Sequence, residues 1–167
     1  MTKTVILVAI SAALAVTPSA RSQPTPATQA AAMPEASQHA TGPFEVKLAP
    51  QPADEAAGSP SINRMLLDKQ FHGDLEATSK GTMLAAGSGA KGSSGGYVAL
   101  EIVTGTLQGH TGTFILQHSA TMTRGTPALS ITVVPDSGTG QLVGLTGKMS
   151  IDITNGKHTY TFDYTLP

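Results

Sequence analysis

The sequence predicts an all-β domain, and three observations carry the prediction. From Phe44 onward nearly every segment is rich in β-branched and aromatic residues. Apolar and polar residues alternate with period two, and no segment holds an apolar stripe at helical spacing. Glycine-centred turn signals such as Asn155-Gly156 and Asp136-Ser-Gly138 punctuate the segments. About seven to nine antiparallel strands in one domain form a sandwich or a closed barrel, and closure is the arrangement that leaves no exposed edge. The expected fold is therefore a closed antiparallel β-barrel of about eight strands.

The chain of 167 residues opens with Met1-Thr-Lys3, an apolar run from Val5 to Val16, and the small residues of Thr17-Pro-Ser-Ala-Arg-Ser22. That pattern predicts a signal peptide, residues 1–22, with Ala20 and Ser22 at the small positions before the cut. The apolar run is shorter than the about 20 residues a membrane span needs. No cysteine follows to carry a lipid, so no membrane anchor is expected after cleavage, and the protein is expected to be exported, periplasmic or secreted. Residues 23–42 are mostly Pro, Ala, Thr, Gln and Ser, too poor in large apolar groups to offset the entropy of ordering. They are expected to be a disordered linker. Residues 43–167, about 125 in number, match the usual size of one domain with one core.

Removing residues 1–22 takes away Lys3 and Arg21, which leaves 8 basic against 11 acidic residues and a formal charge of −3. No basic stripe interleaves with aromatics, so no nucleic-acid partner is expected. The chain has no cysteine, which places stability on packing rather than disulfides and excludes thiolate chemistry. The run Gly87-Ser-Gly-Ala-Lys-Gly-Ser-Ser-Gly-Gly96 resembles a phosphate loop, but it leads into a strand at Tyr97 rather than a helix. No Gly-x-Ser-x-Gly elbow lies between a strand and a helix. No cofactor is expected.

Strands are predicted at Phe44–Ala49, Ile62–Phe71, Leu75–Ser79, Thr82–Ser88, Tyr97–Gln108, Gly112–Thr123, Ala128–Val134, Lys148–Thr154 and Lys157–Leu166. The proline-broken, polar Gln51–Pro60 is a loop. Leu107-Gln-Gly-His-Thr-Gly112 and Thr154-Asn-Gly-Lys157 predict tight hairpins, which fix antiparallel neighbours. Pro135–Gly147 interrupts the strands with glycines and with Leu142 and Leu145 three apart. A turn or short helical turn is expected there, covering one barrel end.

Alternation assigns faces. Phe114, Leu116, His118, Ala120 and Met122 form one inward row; His158, Tyr160, Phe162, Tyr164 and Leu166 form another; Met149, Ile151 and Ile153 form a third. The strand from Tyr97 is apolar on both sides. If Val98, Leu100 and Ile102 face a partner subunit or a covering loop, Glu101 lies inside. A homodimer would explain that outer face.

Two constellations carry candidate chemistry. Glu101 with His118 is the leading catalytic candidate, because a carboxylate and an imidazole in a dry interior form a proton-transfer pair, and a buried carboxylate without a partner has its pKa raised. Tyr97, Phe114, Met122, Tyr160 and Phe162 are the expected ligand-binding residues of the interior. His72, Asp74 and Glu76 alternate along the densely charged stretch Asp68–Met83 and are the minor alternative as a metal set. Gly73 between them breaks the alternation, and a polar row is also what a solvent face looks like, so no metal is expected.

Five ordered blocks carry a resemblance: Asp68–Met83 (DKQFHGDLEATSKGTM), Gly105-Thr-Leu-Gln-Gly109, Leu116-Gln-His-Ser-Ala-Thr-Met122, Val134–Gly147 and Tyr160-Thr-Phe-Asp-Tyr164. These resemble the bacterial family catalogued as domain of unknown function 3224, over nearly all of the chain from Gly42 onward. The resemblance implies a compact closed barrel similar to allene oxide cyclase and no established activity. The cyclases' cavity cysteine has no counterpart here.

Three functions fit this reading. The first is an exported barrel that binds a small apolar or amphipathic molecule in its lumen. The second is a cyclase or isomerase that folds a reactive apolar substrate there, using Glu101 and His118. The third is a structural or assembly module whose barrel is filled by its own side chains.

Overall fold

A computed structural model describes residues 36–52 and 62–167. The predicted signal peptide, most of the predicted linker and most of the Gln51–Pro60 loop lie outside the described residues. The described chain forms a closed barrel of eight antiparallel strands, as the alternation predicts. They are β1 (Gln38–Pro50), β2 (Ile62–Phe71), β3 (Leu75–Gly87), β4 (Gly95–Leu107), β5 (His110–Thr123), β6 (Thr126–Val133), β7 (Thr146–Thr154) and β8 (Lys157–Thr165). Each strand pairs with the next in sequence, and β1 closes the wall against β8, from Gln38 opposite Tyr164 to Phe44 opposite His158.

Two differences from the expectation exceed a shift of two residues at a strand end. β1 begins at Gln38, within the stretch read as linker, and Ala40 is wholly buried. Small and polar residues hide that strand's alternation, whereas pairing to β8 fixes it. The segments read as two strands on either side of Gly81 are one strand, β3. Gly81 stands opposite Glu101, and a Cβ there would lie 2.6 Å from the Cβ of Glu101. The glycine therefore marks a close approach of two strands rather than a break.

Turn chemistry works as expected. Gln108-Gly109 and Asn155-Gly156 both adopt positive φ at each of their two residues, the conformation a two-residue hairpin needs, and Arg124-Gly125 makes a third turn of this kind. Pro135–Leu145 folds across one end of the barrel. It contains a one-turn 3-10 helix, Gly140–Leu142, and it drives Leu142 and Leu145 into the core. Thr139 and Ser137 hold the segment there through hydrogen bonds from the Thr113 and Ile115 amides.

The core fills the covered end of the barrel. Phe114 stacks on Phe162, Phe162 on Tyr164, and Tyr160 meets Phe71 edge-on. The Tyr160 hydroxyl accepts a hydrogen bond from the Leu75 amide at 2.8 Å and donates to the His72 carbonyl at 3.0 Å, which ties the β2–β3 turn to the core. Burial raises its pKa to about 12, with Asp74 and Glu76 adding and the Leu75 amide opposing. A smaller cluster of Leu67, Met83 and Ala99 lies toward the other end. On the outer wall Val98, Leu100 and Ile102 are each more than half exposed, with Leu66 and Leu84 beside them on β2 and β3. The strand read as apolar on both sides thus keeps Glu101 inside and leaves the Val98 face outside.

Candidate functional site

Inward alternation along β2 brings Lys69 to the barrel axis, between Leu67 and Phe71. The same alternation brings in Ser79 on β3, Glu101 on β4 and His118 on β5. Their side chains converge on one carboxylate. Lys69 Nζ donates to Glu101 Oε1 at 2.7 Å, His118 Nε2 to the same oxygen at 2.8 Å, and Ser79 Oγ to Oε2 at 2.7 Å. All four residues are buried. Below them the Lys69 ammonium lies over the rings of Phe44 and Phe71, 5.5 and 5.7 Å from their centroids, so aromatic faces stabilise the cation where water cannot.

The sequence places Glu101 and His118 together correctly, but the chemistry differs from the expectation. That expectation rests on a carboxylate without a partner. Burial does push the Glu101 carboxyl up, yet the His118 hydrogen bond and the Lys69 charge outweigh it and hold the pKa at about 2. A carboxylate so firmly ionised is a weak base near neutral pH and cannot serve there as an acid. Its geometric effect is to orient His118 and to neutralise Lys69.

Above the cluster the barrel opens. A cavity of about 510 Å³ lies at the end formed by the β3–β4 connection and the β5–β6 turn, and it is lined by Met65, Ala85, Tyr97, Ala120, Met122 and Leu129, among others. Tyr97 and Met122 therefore lie where an occupant would touch them. Phe114, Tyr160 and Phe162, expected to bind ligand, instead pack the opposite half and do not line the cavity. Met122 and Ile153, placed inside by alternation, are exposed because their strands have reached the open rim.

Lys69, Ser79, Glu101 and His118 do not line the cavity either. Tyr97 lies between, with its ring centroid 6.5 Å from that of His118. Burial, and secondarily the Glu101 charge, raise the Tyr97 pKa, so its hydroxyl keeps its proton. The site thus has an apolar chamber over a buried ionic layer, with one phenol between them.

His72 and Asp74 stand on the β2–β3 turn and Glu76 at the start of β3, all three exposed, at the covered end. Asp74 accepts from the Thr41 amide and Glu76 from the Gly73 amide, and His72 Nδ1 lies 3.4 Å from Glu76. They brace the turn. Among the described residues no three His, Asp or Glu side chains are grouped as a metal ion would require.

Sequence reasoning missed Lys69 and Ser79. The signal was present, because Met65, Leu67, Lys69 and Phe71 share one parity. Lysine inside a charged stretch reads as a surface residue, and its neighbour Asp68 is one, paired with Lys80 on the outer wall.

The family model described as "Protein of unknown function (DUF3224)" matches residues 40–164. The chain belongs to the DUF3224 family. A crystal structure of a protein of unknown function from this family, from Shewanella oneidensis MR-1, is similar at 47% sequence identity. The match covers 79% of this chain and 98% of that one, with a TM-score of 0.72. A comparison with curated proteins returned no match. DUF3224 membership carries the barrel, and the reading of its cavity rests on the residues described above.

Proposed function

We propose that the protein is an exported barrel that holds a small apolar or amphipathic molecule in the chamber at its open end. One observation carries the reading: the chamber is of ligand size and its wall is apolar, while the polar cluster is sealed beneath it. Ligand sites commonly measure about 300–1,000 Å³ and combine an apolar lining with few polar groups. Tyr97 is the polar group nearest the buried cluster, and Asn63, Ser88, Ser93, Ser94 and Thr121 are the other polar residues of the lining.

The cyclase or isomerase alternative needs Glu101 and His118 within reach of a substrate, and the ionised, triply bonded Glu101 beneath Tyr97 argues against it. The filled-module alternative fits the covered half and not the open one.

An environment-sensitive naphthalenesulfonate dye tests binding. Ala120→Trp fills the chamber, and the expected result is a loss of dye affinity of about tenfold or more. Dye affinity unchanged in the folded variant would sink the reading. Native mass spectrometry of protein from its host identifies the natural occupant. Export predicts a mature chain that starts at Gln23, read by N-terminal sequencing of the secreted or periplasmic fraction.

The Val98–Leu100–Ile102 face supports a homodimer. The patch is apolar and more than half exposed, the kind of outer surface that a second copy covers. Sedimentation showing only monomer at micromolar concentration would remove that part of the proposal.

A further inference from the structure

The wall of the barrel is unevenly closed. β6 and β7 pair at two positions, Ile131 with Met149 and Thr132 with Lys148, although both strands run on toward the open end, to Thr126 and Thr154. Continuing that register would set Leu129 against Ile151 and Pro127 against Ile153. Among the described residues these pairs do not form. The outer neighbours show no such gap, since β5 pairs with β6 as far as Thr126 and β7 with β8 as far as Thr154.

The direction of the main-chain groups follows from alternation. The Val134 amide donates to the Ile115 carbonyl on β5, so even-numbered residues here turn toward β5 and odd-numbered ones toward β7. On β7, Thr154 and Lys157 flank the two-residue turn and bond each other, so even-numbered residues turn toward β8 and odd-numbered ones toward β6. The cleft is therefore lined by the N–H and C=O groups of Leu129, Ile151 and Ile153 and by the C=O of Pro127. A proline is tolerated within a strand where its missing donor has no partner, as at an edge.

The side chains add a second feature. Leu129 is 42% and Ile153 62% exposed, and Ile151 packs partly against the core. Pro127, Ala128 and Leu129 also line the chamber, so the cleft opens into it.

We infer that the β6–β7 cleft docks an extended polypeptide segment, which adds as a strand to its two lips with every second, apolar side chain directed into the chamber. Main-chain complementarity fixes the class of occupant. The lips offer donors and acceptors at strand spacing on both sides, which an extended peptide matches with its own N–H and C=O groups and an aliphatic chain cannot. The inference rests on the strand ladder and not on the small-molecule reading.

The test uses the full chain and a fluorescein-labelled peptide, Lys-Val-Thr-Val-Thr-Val-Lys. In the free protein the amides of Leu129, Ile151 and Ile153 exchange with solvent about tenfold faster than that of Met149, and saturating peptide slows them by about the same factor. Ile153→Pro removes a lip donor without touching the β8 ladder. It weakens the peptide by about tenfold, while the dye of the preceding section binds as before, which shows that the barrel is folded. A peptide N-methylated at alternate residues does not bind. Protection of the three amides in the free protein would overturn the inference, as would peptide binding that leaves them unprotected. Protection by oleate but not by peptide would assign the cleft to an acyl chain and equally overturn it. Absence of dye binding by the unsubstituted protein, with the peptide result intact, would count against the chamber reading only.

Discussion

On either side of the Glu101 layer the same eight strands build opposite things. Below it the inward rows carry Phe71, Phe114, Tyr160, Phe162 and Tyr164, and the barrel is solid. Above it they carry Met65, Ala85, Ala120 and Met122, and the barrel is hollow. The eight strands are shared, whereas the inward side chains shrink and the β6–β7 seam parts toward the open end, and these two differences separate the filled half from the hollow one. The buried ionic layer divides the two regimes. It faces aromatic rings on one side and lies beneath the floor of the chamber on the other.

The sharpest way to break the comparison is to hollow the solid half. Phe162→Ala is expected to cost about 3–5 kcal/mol, read as a fall in the urea or thermal midpoint. Dye affinity of the folded fraction should change less than about twofold; a collapse of binding in folded protein would show that the halves are one unit. The layer between them comes next. Lys69→Met strands the Glu101 carboxylate without its cation and should cost about 3 kcal/mol or more, whereas the Lys69→Met/Glu101→Gln pair should recover much of that loss. A double-mutant cycle with no recovery would mean that Lys69 acts through packing.

A pH titration isolates the same layer with a smaller effect. The Glu101 carboxyl is held at about 2 against an ordinary 4.5. A group whose pKa is lowered by folding stabilises the folded state above its unfolded pKa, and that stability is lost as pH falls toward the folded value. Stability should therefore drop between about pH 5 and pH 2, by at most about 3 kcal/mol from this group. Glu101→Gln should flatten that part of the curve, and an unchanged slope would assign acid unfolding elsewhere. On the hollow side, Met122→Ala should alter stability by less than about 1 kcal/mol, because the residue is exposed at the rim. Its effect should fall on dye affinity. Smallest of all is Val98→Lys on the outer face, expected to lie within about 0.5 kcal/mol for the monomer and to show itself only by abolishing sedimentation as a dimer.

Much of the fold was legible because alternation is a local signal. The inward rows of β5 and β8 are readable from Phe114 to Ala120 and from His158 to Tyr164, and the hairpin turns announce themselves within Leu107–Gly112 and at Asn155-Gly156. The covering role of Leu142 and Leu145 follows from their spacing. Glu101 and His118 were brought together by parity alone. What parity cannot supply is depth along the barrel, which depends on register between strands. Hence Phe114 and Met122, four alternations apart on one row, were both expected to meet ligand, although one lies in the solid half and the other at the rim. Register also decides that Lys69 meets Glu101 across β3, a pairing hidden by the charges around it. Burial alone raises the Glu101 pKa, and the His118 hydrogen bond together with the charge and hydrogen bond of Lys69 turns it downward.

The order of the strands around the barrel has a kinetic consequence. Seven of its eight seams join strands consecutive in the chain, and the eighth joins β1 to β8, where His39 and Asp163 meet across 124 positions. Consecutive hairpins close small loops, whereas the last seam must gather the whole domain, and the entropy of loop closure rises with length. Folding should therefore pass through an unrolled sheet whose edges are β1 and β8, with Phe44, Tyr160 and Phe162 on the face not yet wrapped. The lifetime of that sheet, set by one closure event, is the interval in which the chain is exposed to self-association.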